Sequence, residues 1–352
     1  MNFDHLQDHP HKRQNILTGD WVLVSPHRTK RPWQGKVEKL AEDQRPSHDP
    51  NCYLCAGNTR AGGKVMPEYT GTYVFTNDFS ALLNDTPDFQ GDDELFSFES
   101  ESGECRVVCF HPNHALTLPE MEIFNVEEVV RTWQDQYAEL GARPEIGHVM
   151  IFENKGATMG CSNPHPHGQI WSQKRMPQEV QKKHDRQQAY FDKHGRTMLS
   201  DYISRELADG TRVLEENDHF VSLVPFWALW PYEVMIIPKR AMAHIGMMTE
   251  EEVSAYAAIL HQTTVILDNL FETSFPYSSG IHQAPTDGAE NAHWHWHMSF
   301  YPPLLRSATV KKFMVGYEMF ANPQRDITAE QAAAKLKSLP KVHYKSLSKV
   351  GE

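Results

Sequence analysis

The sequence of 352 residues predicts an α+β protein in which a unit of mainly antiparallel strands flanked by helices occurs twice. Each half of the chain contains short strand-like runs, then one long segment with helical spacing, then a strand that carries histidines. A very polar segment, residues 177–196, lies between the halves and favours a connecting helix that ends at Gly195. We therefore predict an N-terminal domain over residues 1–177 and a C-terminal domain over residues 178–352.

The elements of the two halves follow in the same order. In the first half we predict three short strands, a helix and a buried strand at residues 21–25, 72–75, 106–110, 122–141 and 147–154, respectively. In the second half we predict two strands, a helix and a histidine-rich strand at residues 220–224, 233–237, 249–270 and 293–301. Thr249 and Glu252 form a capping box at the start of the second helix. The polar, acidic stretch of residues 85–104 is predicted to be a surface excursion.

The composition limits the classes of partner. Lys and Arg number 34 and Asp and Glu number 46, so the net charge of −12 argues against nucleic acid and anionic membrane surfaces, but permits a small phosphorylated ligand. No apolar stretch approaches the about 18 residues of a membrane span. Five cysteines make a disulfide scaffold unfavourable and a reducing cytoplasm the simplest location. The 20 histidines are the unusual count, since imidazole serves as ligand, nucleophile and acid or base.

The first histidine-bearing strand has the sequence GATMGCSNPHPHGQIW from residue 156. In an extended chain His165, His167 and Gln169 share one face, while the alternating prolines place the segment at a strand edge or entrance. The preceding loop of glycines and Ser162 can offer amides and a hydroxyl to a phosphate. The alternative is a solvated loop with two histidines; the aligned glutamine and the prolines favour a site.

A pair of cysteines two residues apart lies in a turn-rich setting. The spacing of Cys52 and Cys55 allows both thiolates to bind one zinc ion. Because the sequence has no second pair of this kind, the remaining ligands should be histidines, for which His114 and His165 are candidates. The alternative is two reduced cysteines in a core.

Three further segments leave their roles open. Residues 293–297 place three imidazoles on one face of a strand, which fits either a metal site or an interface strand with structural histidines. The basic segment with Arg28 and Arg31, and residues 312–318, combine groups that could bind phosphate or ribose, although each is also common on a solvated surface.

Together these motifs resemble the galactose-1-phosphate uridylyltransferase family. The matching segments are HPHGQIW preceded by CSN, CxLC at position 52, TNDFSAL at 76–82 and YPPLLRSATVKKFMVGYE at 301–318. The match extends from residues 9–13 to residues 329–333, which is almost the whole chain. The family is part of the histidine-triad group, whose fold is similar to the duplicated unit inferred above.

The resemblance implies an activity. UDP-glucose and galactose 1-phosphate would exchange to UDP-galactose and glucose 1-phosphate, in two displacements through a uridylylated histidine that falls on His167. Neutral imidazole is a nucleophile at pH 7 and a good leaving group from phosphorus. By the same resemblance, Gln169 and Ser162 hold the phosphate in transfer.

The resemblance also implies ligands and a homodimer with active sites at the subunit interface. Zinc would be held by Cys52, Cys55, His114 and His165. Substrate-binding positions are Ala61; Asn77, Asp78, Phe79, Val108 and Asn154 on the nucleotide side; and Lys312, Phe313, Val315, Tyr317, Glu318 and Gln324 on the hexose-phosphate side, with Arg28 and Arg31.

The sequence departs from the family at one point. Some members carry a second metal, iron or zinc, on one Glu and three His, and the matching positions here are Lys183, His282, His297 and Ser299. A lysine ammonium has no lone pair to give, and a serine hydroxyl is a weak ligand. His295 and Glu179 are the residues that could restore a site. We expect this second site to be empty or weak.

Two other functions fit parts of the sequence. A related enzyme that forms a nucleotidyl-histidine with another substrate, such as a nucleotide phosphorylase or an adenylyltransferase, would share the histidine strand. A zinc-knuckle binding module with structural histidines would form no covalent intermediate. The match through residues 301–318 favours the uridylyltransferase.

Overall fold

The computed structural model describes residues 4–30 and 45–348. Its strands are β1 (His11–Gln14), β2 (Trp21–Val24), β3 (Tyr73–Thr76), β4 (Gln90–Gly91), β5 (Phe98–Glu99), β6 (Gly103–Cys109), β7 (His148–Lys155), β8 (His167–Gln173), β9 (Val213–Glu216), β10 (Phe220–Leu223), β11 (Val234–Pro238), β12 (Tyr277–His282), β13 (His297–Tyr301) and β14 (Gln324–Arg325). Its helices are α1 (Ile123–Gly141), α2 (Gln178–His194), α3 (Met198–Asp209), α4 (Glu250–Asn269), α5 (Tyr317–Phe320), α6 (Ala329–Lys337) and α7 (Tyr344–Ser348).

Nine strands form one antiparallel sheet that contains both copies of the repeated unit. The strand order is β3-β6-β8-β7-β12-β13-β11-β10-β9. The first copy runs β3-β6-α1-β7-β8 along the chain and the second runs β10-β11-α4-β12-β13, so the two have the same connectivity and the same order within the sheet. The prediction of an α+β fold with a duplicated antiparallel unit is therefore confirmed.

The two copies meet at the central pair of strands, β7 and β12. These strands pair antiparallel, with Asn154 opposite Ser278. A buried ion pair crosses the same seam: Lys155 Nζ on β7 lies 2.7 Å from Asp268 Oδ1 on α4. The residue 177/178 boundary falls immediately before α2, beyond the end of β8.

The long helices cover the sheet and enclose the core. α1 and α4 pack against one another, and their apolar faces join those of β7, β11 and β13 in the main hydrophobic cluster. α3 packs on the opposite side of β10 and β11 in a smaller cluster around Trp227. Across residues 4–30 and 45–348, no helix is both long enough and apolar enough to cross a bilayer.

Local sequence signals explain most of the helix ends. The capping box at Thr249 is present, with Thr249 Oγ1 accepting from the Glu252 amide and the Glu252 carboxylate accepting from the Thr249 amide. α2 ends at His194 and is capped by Gly195, whose φ of 64° is the left-handed conformation that glycine adopts without strain. The predicted helices over 122–141 and 249–270 are confirmed.

The histidine-rich strand of the second half is shorter than predicted. β13 begins at His297, whereas we predicted a strand from residue 293. The preceding backbone bonds to loops and a helix instead of a neighbouring strand: the His295 amide donates to Gln187 Oε1 at 3.0 Å, and the Trp296 amide donates to the Met242 carbonyl at 2.9 Å. The His and Trp side chains of residues 293–297 are nevertheless all buried, although only His297 lies in a strand.

Candidate active site

His167 is held as a neutral imidazole with one ring nitrogen free to react. It is the first residue of β8, and its Nδ1–H donates to the His165 carbonyl at 2.7 Å. That bond places the proton on Nδ1 and leaves the lone pair on Nε2. Burial lowers the pKa of His167 below its ordinary value of 6.5, so the ring is neutral at pH 7.

Gln169 lies on the same face of β8 and is oriented by its neighbour. Trp171 Nε1 donates to Gln169 Oε1 at 3.0 Å, which leaves the amide NH₂ of Gln169 available as a donor. Between the two site residues, Gly168 allows close packing, because a Cβ there would lie 2.8 Å from Phe110 Cζ. The small residue lets the strand lie flat against the core while its other face carries chemistry.

A small polar cavity of about 60 Å³ opens beside His167. Its lining comprises Asn154, Gly160, Cys161, Ser162, His167, Gly168 and Gln169. Asn154 Oδ1 accepts from Ser278 Oγ at 2.7 Å, so the Asn154 NH₂ remains as a donor. Hydroxyl and amide donors next to an imidazole lone pair favour an anionic group such as phosphate.

A second cavity of about 250 Å³ adjoins His167 on the side of β3 and β6. It brings together the predicted Ala61, Asn77, Asp78 and Phe79 with Ser162 and Gln169. Phe79 is 75% exposed at its mouth, where a ring can stack on a ligand. Val107 presents its side chain here, whereas the side chain of the predicted Val108 points into the main core on the other face of β6.

Asp78 is fixed in that cavity by a buried arginine. Arg60 Nη2 donates to Asp78 Oδ1 at 2.9 Å, and the Gly62 amide donates to Asp78 Oδ2 at 3.1 Å. The Arg60 guanidinium also lies 4.3 Å from the centre of the Phe75 ring. The loop that follows the cysteine pair thereby becomes one wall of the cavity.

Cys52, Cys55, His114 and His165 form a buried cluster able to hold a metal ion. Their donor atoms all lie within 4.8 Å of one another, and in the described part of the chain no other set of three or more His, Cys, Asp or Glu side chains does so. Burial raises the pKa of Cys55 to about 11 and lowers the pKa of His165 to about 3. A bound cation would offset this cost of holding thiolates in the interior.

Two residues tie the cluster to the histidine strand. Tyr69 Oη lies 2.9 Å from His165 Nε2 and donates to the Leu54 carbonyl at 2.7 Å, so His165 keeps Nδ1 for the cluster. Asn163 Oδ1 accepts from the His165 amide at 2.9 Å, while its Nδ2 donates to Cys52 Sγ at 3.3 Å. These contacts and the cluster therefore fix the position of His165, which lies two residues before His167.

The predicted hexose-phosphate residues lie together but away from His167. The Lys312 ammonium pairs with the Glu318 carboxylate, which also accepts from the backbone N–H of Gln324 at 3.2 Å. Phe313, Val315 and Tyr317 are more than half exposed. Among the described residues, none of this set lines the cavities beside His167.

Arg28 belongs to the same surface. Its Nε lies 3.1 Å from Asp326 Oδ1, and Gln324 Nε2 donates to that same oxygen at 2.6 Å. Arg31 lies outside the described residues.

The residues that match a second metal site do not fit one. Lys183 Nζ lies 3.1 Å from His297 Nε2, which is the atom that a metal would need, and Ser299 offers only a hydroxyl, which is a weak ligand. His282 stacks on His297 with ring centres 5.0 Å apart. Burial lowers the pKa of Lys183 to about 7, against the opposing effect of the Glu233 carboxylate.

Sequence reasoning missed Arg60, Tyr69 and Asn163. Arg60 and Asn163 border motifs that were identified, in TRAGG after the cysteine pair and in CSNPH before the histidines. A polar residue at the edge of a ligand motif is a usable signal for a residue that orients the ligands. Tyr69 has no such signal, because it reaches His165 across 96 positions of sequence.

Comparison with known proteins defines the class and then the family. The model of the "Galactose-1-phosphate uridyl transferase, N-terminal domain" matches residues 2–177, and that of the corresponding C-terminal domain matches residues 183–348. The chain is a nucleotidyltransferase. It belongs to the galactose-1-phosphate uridylyltransferase family.

Individual relatives agree over nearly their whole length. The galactose-1-phosphate uridylyltransferase of Haemophilus influenzae is 54% identical over 343 residues, covering 97% of this chain and 98% of the relative. That of Rattus norvegicus is 48% identical, covering 96% and 89%. A solved uridylyltransferase superposes with a TM-score of 0.74 at 24% identity, covering 97% and 99%, which confirms the fold. An ADP-glucose phosphorylase from Arabidopsis thaliana has a TM-score of 0.73 at 22% identity, covering 94% and 99%.

Proposed function

We propose that this chain transfers a uridylyl group between UDP-glucose and galactose 1-phosphate through a covalent uridylyl-histidine on His167. The observation that carries the proposal is the bond from His167 Nδ1 to the His165 carbonyl, which leaves Nε2 as a neutral nucleophile beside a donor-lined cavity. Relatives about half identical over almost the full chain are named for this reaction.

The chemistry follows as two displacements at phosphorus. In the first, the Nε2 lone pair attacks the α-phosphorus of UDP-glucose, an N–P bond forms, and the P–O bond to the β-phosphate breaks, releasing glucose 1-phosphate. In the second, a phosphate oxygen of galactose 1-phosphate attacks the same phosphorus and the N–P bond breaks, giving UDP-galactose and free His167. Because both leaving and attacking sugar phosphates are anionic oxygens, no strong base is required.

The other site residues bind and orient the phosphate. Ser162 Oγ and the NH₂ groups of Gln169 and Asn154 line the cavity beside His167 and, in this proposal, donate to the non-bridging oxygens of the phosphate, where charge accumulates during transfer. The cavity beside Asp78 and Phe79 accommodates the nucleoside. Gln169 can donate but cannot shuttle a proton, which favours transfer to a sugar phosphate over hydrolysis by water.

The test is incubation of the purified protein with UDP-glucose alone. We expect one equivalent of glucose 1-phosphate and an acid-labile uridylyl adduct that peptide mapping locates on His167. ADP-glucose, in a parallel reaction, should give a much slower adduct; a faster adduct would indicate an adenylyltransferase instead. Transfer that occurs only when both sugar compounds are bound, without an isolable adduct, would exclude the covalent route.

The rate of adduct formation should depend on pH in one direction only. A pKa of His167 below 6.5 means that the imidazole stays neutral throughout the neutral range and is protonated only in more acidic solution. We expect a flat rate between pH 7 and pH 8 and a fall below pH 6.5, measured by rapid-quench release of glucose 1-phosphate. A rate that already falls between pH 8 and pH 7 would show that burial does not lower this pKa.

We further propose that zinc occupies the cluster of cysteines and histidines. A tetrahedral zinc with two sulfur and two nitrogen ligands has S···N edges of about 3.6 Å. Cys55 Sγ lies 3.5 Å from His114 Nδ1 and 3.6 Å from His165 Nδ1. The ion's contribution is structural, because it would fix His165, whose carbonyl orients the His167 ring.

A homodimer completes the active site in this proposal. The hexose-phosphate residues around Lys312 lie outside the cavities beside His167, and the exposed Phe313 and Tyr317 accompany them. In a symmetric dimer these residues would reach the His167 cavity of the partner subunit.

The five free thiols fit a reducing cytoplasm, where we propose the enzyme acts.

Mixing two inactive variants tests the shared site. Lys312→Met and His167→Asn each remove one contribution, so each homodimer should be nearly inactive. After dissociation and reassociation of an equal mixture, half the dimers are hybrids with one intact site of two, and activity should recover to about a quarter of wild type. No recovery, despite hybrid dimers detected by mass spectrometry, would place both residues in the same subunit's site.

A further inference from the structure

The inner face of α2 contacts the second histidine segment, residues 293–297, through three polar side chains. Val180, Lys183 and Gln187 are the buried residues of this helix. Gln187 Oε1 accepts from the His295 amide at 3.0 Å, and Lys183 Nζ lies 3.1 Å from His297 Nε2. His184 accepts from Trp294 Nε1 at 3.0 Å, so α2 is attached to residues 294–297 at three points, of which the Lys183 contact is the one that reaches β13 itself.

The contact between Lys183 and His297 has a defined direction. His297 Nδ1 lies 3.3 Å from the His295 carbonyl, so Nδ1 carries the proton and Nε2 has the lone pair. The lysine N–H therefore donates to Nε2. Since the one lone pair of this ring is already engaged, His297 has nothing left to offer a metal ion.

The described residues around Lys183 attract its amine and leave no set of side chains that converges on a common point. Glu233 is buried, its carboxylate accepts from the Leu229 and Trp230 amides at 2.7 and 3.0 Å, and it attracts the lysine amine. His282, on β12, packs its ring at 26° to that of His297 instead of converging with it on a common point. Ser299, the residue that follows on the same face of β13, is too short to reach across as an imidazole would.

We propose that Lys183 takes the structural place of a metal ion in the C-terminal unit, holding α2 against β13 through His297, and that this unit folds without a metal of its own. The hydrogen bond from the Lys183 amine to His297 holds the helix and the strand together, as coordination bonds to a shared metal ion would do. Among the residues that the structure describes, metal dependence is then confined to the cluster around Cys55.

Metal analysis of the wild type and a Lys183→Met variant is the first test. We expect one equivalent of metal per chain in both, because methionine removes the amine without adding a hard ligand. The variant should melt about 2–5 °C lower, since His297 Nε2 is left buried without a donor. A second tightly bound equivalent in the wild type, or an unchanged melting temperature in the variant, would overturn the proposal.

A variant that gains metal gives the converse test. Lys183→Glu combined with Ser299→His removes the amine and restores a carboxylate and an imidazole beside His282 and His297. We expect this double variant to bind a second equivalent of zinc in equilibrium dialysis, with Lys183→Met as the matched control that binds only one. A folded double variant, verified by circular dichroism, that still holds one equivalent would show that Lys183 is not what keeps metal out.

Discussion

Replacing His167 with asparagine should reduce turnover by a factor of about 10⁴ or more, the effect expected when a covalent nucleophile is removed. The asparagine amide can still donate to the His165 carbonyl, so the strand entrance keeps its hydrogen bond, but an amide nitrogen has no lone pair with which to attack phosphorus. Initial rates of glucose 1-phosphate release, with stability followed by thermal melting, measure the two effects separately.

His244→Asn is the matched control. His244 is also partly buried and stacks on Tyr137 at 4.7 Å, but it lines a different cavity from the one beside His167. Its turnover should stay close to that of the wild type. If His167→Asn retained activity within about tenfold of wild type, another residue would have to be the nucleophile.

Replacing Cys55 with serine should release the metal and destabilise the N-terminal unit. A ligand present at a thousand times its dissociation constant contributes about 4 kcal/mol to stability, so loss of the ion should lower the free energy of unfolding by about that amount. Turnover should fall with it, because the orientation of His165 determines the position of the His167 ring. Zinc content by mass spectrometry, urea unfolding and initial rates give the three readings.

Two further variants give reference points for the zinc content of Cys55→Ser: Cys105→Ala is the control, and Tyr69→Phe should have an intermediate effect. Cys105 is fully buried on β6 but is not part of the cluster, so its variant should keep its zinc. Tyr69→Phe removes the partner of His165 Nε2 and should weaken zinc binding by about 10- to 100-fold without abolishing it. A Cys55→Ser protein with full zinc content would show that the ion is held elsewhere.

Local patterns predicted the parts of the site that are close together in sequence. The alternation of His165, His167 and Gln169 follows from strand geometry, and the two-residue spacing of Cys52 and Cys55 required further ligands from elsewhere. The capping box at Thr249 likewise depends only on residues within one turn. For such features the physical cause and its consequence lie in the same few residues.

What the sequence did not predict depends on contacts between distant segments. Tyr69 lies close to His165 because β3 and β8 both pair with β6. The late start of β13 is caused by Gln187 and the Met242 loop, which no periodicity in residues 293–301 reveals. The sequence shows Lys183 where the resembled family implies a glutamate. Its hydrogen bond to His297 could not be predicted, because the sequence alone does not show which face of α2 is buried.

The seam between β7 and β12 makes the two repeats interdependent. Ser278, from the second repeat, donates to Asn154 Oδ1 in the first and so orients the Asn154 carboxamide beside His167. A chain cut after residue 177 would leave β7 as an exposed edge strand that could pair with another copy of the chain. It would also leave the Lys155 ammonium without its partner, the Asp268 carboxylate. The second repeat thus supports the wall of a cavity in the first, and replacing Ser278 would alter the cavity beside His167 although Ser278 itself does not line it.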